Sequence, residues 1–147
     1  YRMNEIQAAV GRAQLKKLDM LTKKRQYNGR YINEGIKGIK GVNGVYEDPN
    51  CEHVYHLYTL TLDPDIFDRD EFLRVLYREN GVQGILHYQP TYHFTGLKKL
   101  GITGNCPIAE KFFYKQQFNL PMHPRLTQQE LDDTVNGIIG TAEKLRK

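Results

Sequence analysis

The sequence predicts an α/β (α+β) domain in which a long N-terminal helix is followed by helices packed on a small sheet. Three observations support this prediction. Apolar residues recur at helical spacing near the start, helical and strand-like segments then alternate in the order α, β, α, β, α, β, α, and no internal repeat interrupts them. The 147 residues suit one domain or part of a larger protein.

The first predicted helix runs from about residue 3 to the mid-thirties. Apolar residues recur along it on two neighbouring faces. They are Met3, Ile6, Val10 and Ala13 on one face and Leu15, Leu18 and Leu21 on the other. Gly11 within this pattern costs about 1 kcal/mol relative to Ala, which favours close packing against another backbone. Residues 35–44 are rich in Gly and Asn and predict a loop.

Three segments predict strands. Residues 54–62 are rich in β-branched and aromatic side chains with partial alternation, and Asp63-Pro64 ends them. Residues 82–89 form the second predicted strand, which is closed by Pro90. Residues 117–122 form the third. Because helices separate the three segments, we expect the strands to share one small sheet.

Capping signals bound the helix between the first two predicted strands. Asp68 followed three residues later by Glu71 predicts the N-cap, and Asn80-Gly81 predicts the end of the helix. A helical face of apolar side chains lies between these signals. Its expected buried residues are Phe72, Val75 and Leu76.

Two further helices are predicted in the C-terminal half. Pro107 suits the first turn of one, which runs on through Phe112 and Phe113, and we expect this Phe pair in the core. Thr127 with Glu130 predicts a capping box for the other. The expected buried face of that last helix comprises Leu131, Val135, Ile138, Ile139, Ala142 and Leu145.

Composition excludes several classes of protein. The chain contains no Ser, which excludes a Ser-His-Asp hydrolase. Cys51 and Cys106 lack CxxC spacing, and we expect both to be reduced and structural. No apolar run could span a membrane and no signal peptide is present, so a soluble, cytoplasmic protein without a membrane partner is predicted. Tyr1 enters the helical pattern directly, so we expect the chain to begin within a longer protein.

Few side-chain patterns point to chemistry. On a strand, His53 and His56 would face opposite sides, so we predict no metal site. Dinucleotide-binding, P-loop and zincin motifs are absent, and no known nucleic-acid-binding motif supports the aromatic and basic residues of 111–117 as a nucleic-acid surface. His87 and Tyr88 stand where a predicted strand passes into a loop, a frequent place for binding groups. Adjacent imidazole and phenol groups can bond hydroxyl or phosphate oxygens.

Four blocks of sequence combine into a recognisable pattern. They read YRMNEIQAAVG at 1–11, HVYHLY at 53–58, GILHY at 84–88 and NLPMHP at 119–124, the last followed by Leu126-Thr127. In this order they closely resemble the C-terminal part of the DegT/DnrJ/EryC1/StrS family, which are pyridoxal-phosphate (PLP)-dependent sugar aminotransferases. The blocks together span nearly the whole chain.

The resemblance implies the small domain of the aspartate aminotransferase fold type. Residues 1–36 would be the long connecting helix and residues 37–147 the C-terminal small α/β domain, with the large PLP-binding domain absent from the chain. The family's Schiff-base lysine lies upstream, and no lysine here matches it. We therefore expect no catalytic residue in this chain, an inactive fragment, and PLP bound only by a full-length, homodimeric parent.

The family pattern also assigns candidate substrate-binding residues. Arg2 stands at the family's Arg, which implies a phosphate or substrate contact in the partner subunit, although a solvated Arg at a helix start fits equally. His87 matches a His similar to a nucleotide-sugar contact, and Tyr88 takes the aromatic place beside it. Family members often read Pro, one residue, then His. This chain has two residues between Pro90 and His93, so His93 is not assigned.

Two functions follow as alternatives. The first is the C-terminal part of an enzyme that transfers an amino group, expected from glutamate, to a keto sugar carried on a nucleotide. The second is a non-catalytic member of the same family that lacks the Schiff-base lysine and binds nucleotide sugars or regulates a partner. The residues of this chain do not separate the two, because the lysine would lie outside them.

Overall fold

The N-terminal helical region is two helices. The computed structural model describes residues 2–146. Tyr1, the first residue of the expected connecting helix, and Lys147, the last residue of the expected small domain, lie outside the described residues. Helix α1 spans Glu5–Leu15 and α2 spans Leu18–Gly35. The prediction of one continuous helix is therefore wrong. At the break, the Lys17 amide donates to the Gln14 carbonyl three residues back (2.9 Å), which is a turn of 3₁₀ rather than α geometry.

Helix α1 buries none of its residues against the rest of the described chain. Its expected apolar face, Met3, Ile6 and Val10, is exposed. A Cβ added at Gly11 would meet no atom within 4 Å, so the close packing expected at this glycine is not found within residues 2–146. The helix is held locally instead, by a capping box in which Asn4 and Gln7 bond each other's backbone amides.

Within residues 2–146, the sheet has three antiparallel strands in the order β1-β2-β3. They are β1 (Val42–Asn43), β2 (Tyr58–Leu62) and β3 (Gln117–Leu120). Leu62 pairs with Val42, and Tyr58 pairs with Leu120. The loop predicted at 35–44 therefore includes a short strand, and the third predicted strand is confirmed, ending before Pro121.

Two predicted strands differ from the structure. The strand at 54–62 begins only at Tyr58, because Tyr55 has a φ of 48°, in the left-handed region that no strand residue adopts. The prediction of a strand at 82–89 is wrong. Only Ile85 forms a bridge, to Asn119 at the outer edge of β3, and its neighbours have no ladder partner.

Helices α3 (Arg69–Asn80) and α6 (Gln128–Leu145) confirm the capping predictions. The Asp68 side chain accepts the Glu71 amide, and Gly81 ends α3 with a φ of 69°. The two helices pack on each other and, with α2, on the apolar face of the sheet. The core they share includes Ile32, Ile36, Tyr58, Leu60, Phe72, Leu76, Phe118, Leu131, Ile138 and Ala142.

Short helical segments connect α3 to β3. A 3₁₀ turn (Thr91–His93) and α4 (Thr95–Lys99), which the sequence did not predict, precede α5 (Pro107–Lys111). Pro107 starts α5 as predicted, and a π-helical turn (Phe112–Gln116) follows it. Phe112 is exposed and Phe113 half-buried, and neither belongs to the core cluster, so the expectation of a core Phe pair is wrong. No helix within residues 2–146 has the length and hydropathy needed to cross a membrane.

Candidate functional site

His87 and Tyr88 lie where the chain leaves the edge of the sheet. Ile85 exchanges two backbone hydrogen bonds with Asn119 of β3 (2.7 and 2.9 Å), and the chain then diverges from the strand. The His87 and Tyr88 rings stack, with centroids 4.6 Å apart and planes inclined by 28°. His87 is half-buried and Tyr88 is 73% exposed. The phenol is therefore open to a ligand, and the imidazole lies behind it.

The His87 ring carries a buried nitrogen, Nδ1, that has no hydrogen-bond partner among the described residues. Buried polar atoms in proteins are almost always bonded, to protein, to ordered water or to a ligand. Imidazole nitrogen can donate or accept, according to tautomer. Because this nitrogen is buried, it is an unsatisfied polar atom inside the half-buried ring and not a contact open to a ligand oxygen.

A side chain from β3 bonds this segment, and a side chain from α3 bonds the turn that leads into β3. The Gln117 Nε2 donates to the His87 carbonyl (2.9 Å), and Gln117 is almost fully buried. The Arg69 guanidinium, only 5% exposed, donates to the carbonyls of Phe113 (2.7 Å), Tyr114 (3.0 Å) and Gln117 (3.1 Å). Arg69 thus ties the start of α3 to the turn that precedes β3.

Sequence reasoning missed both Arg69 and Gln117. Arg69 is the first residue of α3, and its charge predicts an exposed side chain. Gln117 is a polar residue at the start of β3, and its amide likewise predicts exposure. Arg69 donates to three backbone carbonyls and Gln117 donates to one, and these groups come together only in the folded chain. No local pattern at either position could have shown this.

A second polar cluster lies on the same stretch of chain. Tyr92 Oη donates to Glu110 (2.6 Å), and His93 Nδ1 lies 2.8 Å from Tyr114 Oη. The His93 Nε2 is 3.9 Å from the same Glu110 carboxylate. The hydrogen bond to Glu110 raises the pKa of Tyr92 to about 12. His93 therefore bonds within the protein, through side chains of α5 and the π-helical turn.

Arg2 lies apart from these groups. It stands at the exposed start of α1, two residues before the Asn4 cap. Within residues 2–146 it forms no ion pair and no side-chain hydrogen bond, including to His87 or Tyr88. The structure therefore brings together His87 and Tyr88 but does not join Arg2 to them.

The described residues do not by themselves fit a PLP site. A Schiff-base lysine is activated by burial in an apolar pocket or by a neighbouring cation, whereas every lysine within residues 2–146 is exposed. Over the same residues, no three His, Cys, Asp or Glu side chains gather to hold a metal. Cys51 and Cys106 are free, as expected of reduced cysteines, but both are exposed, so neither has the expected structural role in the core.

Comparisons with known proteins agree on one family. The family model described as the DegT/DnrJ/EryC1/StrS aminotransferase family matches residues 1–139. The chain is 31% identical to the spore coat polysaccharide biosynthesis protein SpsC of Bacillus subtilis, covering 94% of this chain and 37% of that protein. It is 28% identical to the UDP-4-amino-4,6-dideoxy-N-acetyl-beta-L-altrosamine transaminase of Campylobacter jejuni, covering all of this chain and 39% of the relative.

Structural comparison gives the same answer. The solved structure of PseC from Helicobacter pylori, an aminotransferase involved in the biosynthesis of pseudoaminic acid, aligns with a TM-score of 0.81 at 26% identity. The alignment covers 98% of this chain and 38% of PseC. The predicted α/β fold class is thereby confirmed. The chain spans somewhat under two-fifths of the length of these relatives.

Proposed function

Because the chain belongs to the DegT/DnrJ/EryC1/StrS aminotransferase family, we propose that it is the C-terminal part of a nucleotide-sugar aminotransferase. The full-length enzyme transfers the amino group of glutamate to the carbonyl carbon of a keto sugar, and glutamate leaves as 2-oxoglutarate. The observation that carries the proposal is the family match along residues 1–139, together with relatives whose names describe a nucleotide-sugar transaminase and a polysaccharide biosynthesis protein.

The described residues indicate which part of the enzyme holds PLP and which part binds the substrate. PLP, when bound, supplies the electron sink for amino transfer. Since no described lysine suits it, the Schiff-base lysine and the PLP site belong to a part of the enzyme outside these residues. The fragment alone is then inactive, and the whole enzyme is a cytoplasmic homodimer. This chain contributes to substrate binding rather than to the chemical step.

Three residues carry that contribution. The exposed Tyr88 phenol and the half-buried His87 imidazole bond oxygens of the nucleotide sugar. Arg2, exposed at the start of α1, reaches an anionic group in the partner subunit, because a guanidinium binds oxyanions through two parallel hydrogen bonds.

The test uses the complete polypeptide in which this chain occurs. We expect PLP absorbance in the purified protein, and 2-oxoglutarate formation from glutamate when a UDP-linked keto sugar is supplied. Tyr88→Phe should raise the KM for the nucleotide sugar about threefold, since it removes one hydrogen bond. Tyr46→Phe, at another exposed tyrosine, is the matched control and should leave the KM unchanged.

The alternative is a non-catalytic member of the family, and it has a distinct outcome. A complete polypeptide that takes up no PLP, forms no 2-oxoglutarate and still binds the nucleotide sugar in a calorimetric titration would replace the enzyme with a binding protein. A protein that binds neither PLP nor nucleotide sugar would contradict both functions.

A further inference from the structure

The outward face of β3 is polar and yet buried. Phe118 and Leu120 point into the core, so the alternate residues Gln117 and Asn119 share the opposite face. Gln117 is 1% exposed and Asn119 is 3% exposed. Burying an amide without hydrogen bonds is costly, so two buried amides side by side require a set of partners.

Those partners form a continuous chain of hydrogen bonds across the sheet. Thr59 Oγ1 on β2 donates to Asn119 Oδ1 (2.7 Å), and Asn119 Nδ2 donates to the Gln117 Oε1 and to the Ile85 carbonyl (3.4 Å each). The Gln117 Nε2 then donates to the His87 carbonyl (2.9 Å). This series of hydrogen bonds begins at Thr59 on β2, the central strand, and ends at the His87 carbonyl of the candidate site.

The Gln117 side chain bonds His87 where backbone pairing has ended. Ile85 is the one residue of 82–89 with a ladder partner, and two residues further on the His87 carbonyl is held by an amide side chain. Gln117 is itself fixed, because its own carbonyl accepts from the buried Arg69 (3.1 Å). The His87 backbone is therefore anchored to the rigid sheet through one side chain.

From this arrangement we propose that Gln117 is a positioning residue for nucleotide-sugar binding. It fixes the position and orientation of the stacked His87–Tyr88 pair beside β3, so that the phenol and the imidazole meet the substrate together. Gln117 touches no substrate and acts only through His87. The inference rests on the proposed function, because it assigns a role within the same binding site.

The test is Gln117→Met in the complete PLP-containing polypeptide. Met keeps the length and volume of the side chain and removes the donor to His87. We expect the KM for the UDP-linked keto sugar to rise about five- to tenfold, the worth of one buried hydrogen bond. The kcat and the glutamate half-reaction, followed by PLP absorbance, should change less than about twofold. Gln116→Met, the same exchange one residue earlier, is the matched control and should leave the KM unchanged.

A double-mutant cycle separates positioning from general stability. In a His87→Ala/Tyr88→Ala background, Gln117→Met should raise the KM no further, because both side chains that it positions are then absent. Equal effects with and without these two side chains, or equal losses in both half-reactions, would overturn the proposal. Gln117→Asn, which keeps a buried amide one methylene too short for His87, serves where Gln117→Met does not fold, and the same KM rise is expected.

The same measurements distinguish failure of the inference from failure of the proposed function. If the unsubstituted polypeptide shows no glutamate half-reaction, the proposed function fails. If it shows that half-reaction, and Gln117→Met leaves the KM for the sugar unchanged, the function stands and the positioning role is refuted.

Discussion

Arg69 is the residue whose removal most sharply tests the packing described above. Its guanidinium is almost fully buried and bonds three carbonyls, of which the Gln117 carbonyl belongs to the residue that holds the candidate site. Replacing it by Met keeps the unbranched stem and removes all three donors. The expected result is a lower free energy of unfolding and a loosened turn between α5 and β3.

The magnitude follows from the surroundings of each carbonyl. One hydrogen bond to a charged donor contributes about 1.5–3 kcal/mol, and a buried acceptor left without a partner costs about 1–3 kcal/mol. Phe113 is half-buried and Tyr114 is exposed, so water can replace part of what their carbonyls lose. Gln117 is buried, and its carbonyl stays unpaired on that side. Together these terms predict a loss of about 3 kcal/mol for Arg69→Met.

Urea unfolding followed by circular dichroism measures this loss. With a slope of about 2 kcal/mol/M, the midpoint should fall by about 1.5 M. Arg74→Met is the matched control, because Arg74 lies on the same helix and its ion pair with Glu71 is open to solvent. Its midpoint should stay within the error of the measurement. Arg69→Lys keeps the charge but cannot span three carbonyls, and should lie between the two. Equal midpoints for Arg69→Met and Arg74→Met would refute the reasoning.

Two other substitutions test close contacts elsewhere. A Cβ at Gly29 would overlap the buried Tyr55 ring, so Gly29→Ala should lower the free energy of unfolding by about 1–3 kcal/mol. Gly140→Ala, with open space around it, should instead raise it by up to about 1 kcal/mol, and a loss at both sites would contradict this account. Glu110→Gln removes the carboxylate that accepts from Tyr92, so the pKa of Tyr92 should fall from about 12 toward 10.0 in an ultraviolet titration. The stability from this bond is complete below pH 10 and lost as the pH rises to about 12, and an unchanged Tyr92 titration would count against the contact.

The candidate site was only partly predictable from the sequence. His87 and Tyr88 could be named because they stand at the end of an apolar segment and match a family motif. Arg69 and Gln117 could not, because charge and amide groups predict exposure, and their partners are 44 to 48 residues and 30 residues away. The roles of Arg2, His87 and Tyr88 in binding remain predictions.

The sequence by itself determined the features that depend on neighbouring residues. Asp68, Gly81 and the Thr127–Glu130 box bound α3 and α6 because caps satisfy backbone groups within one turn. The tertiary structure decided the rest. It reduced the strand at 82–89 to one bridge, and it buried Arg69 and Gln117. These outcomes depend on which distant groups are available to bond, and apolar spacing along the chain carries no record of that.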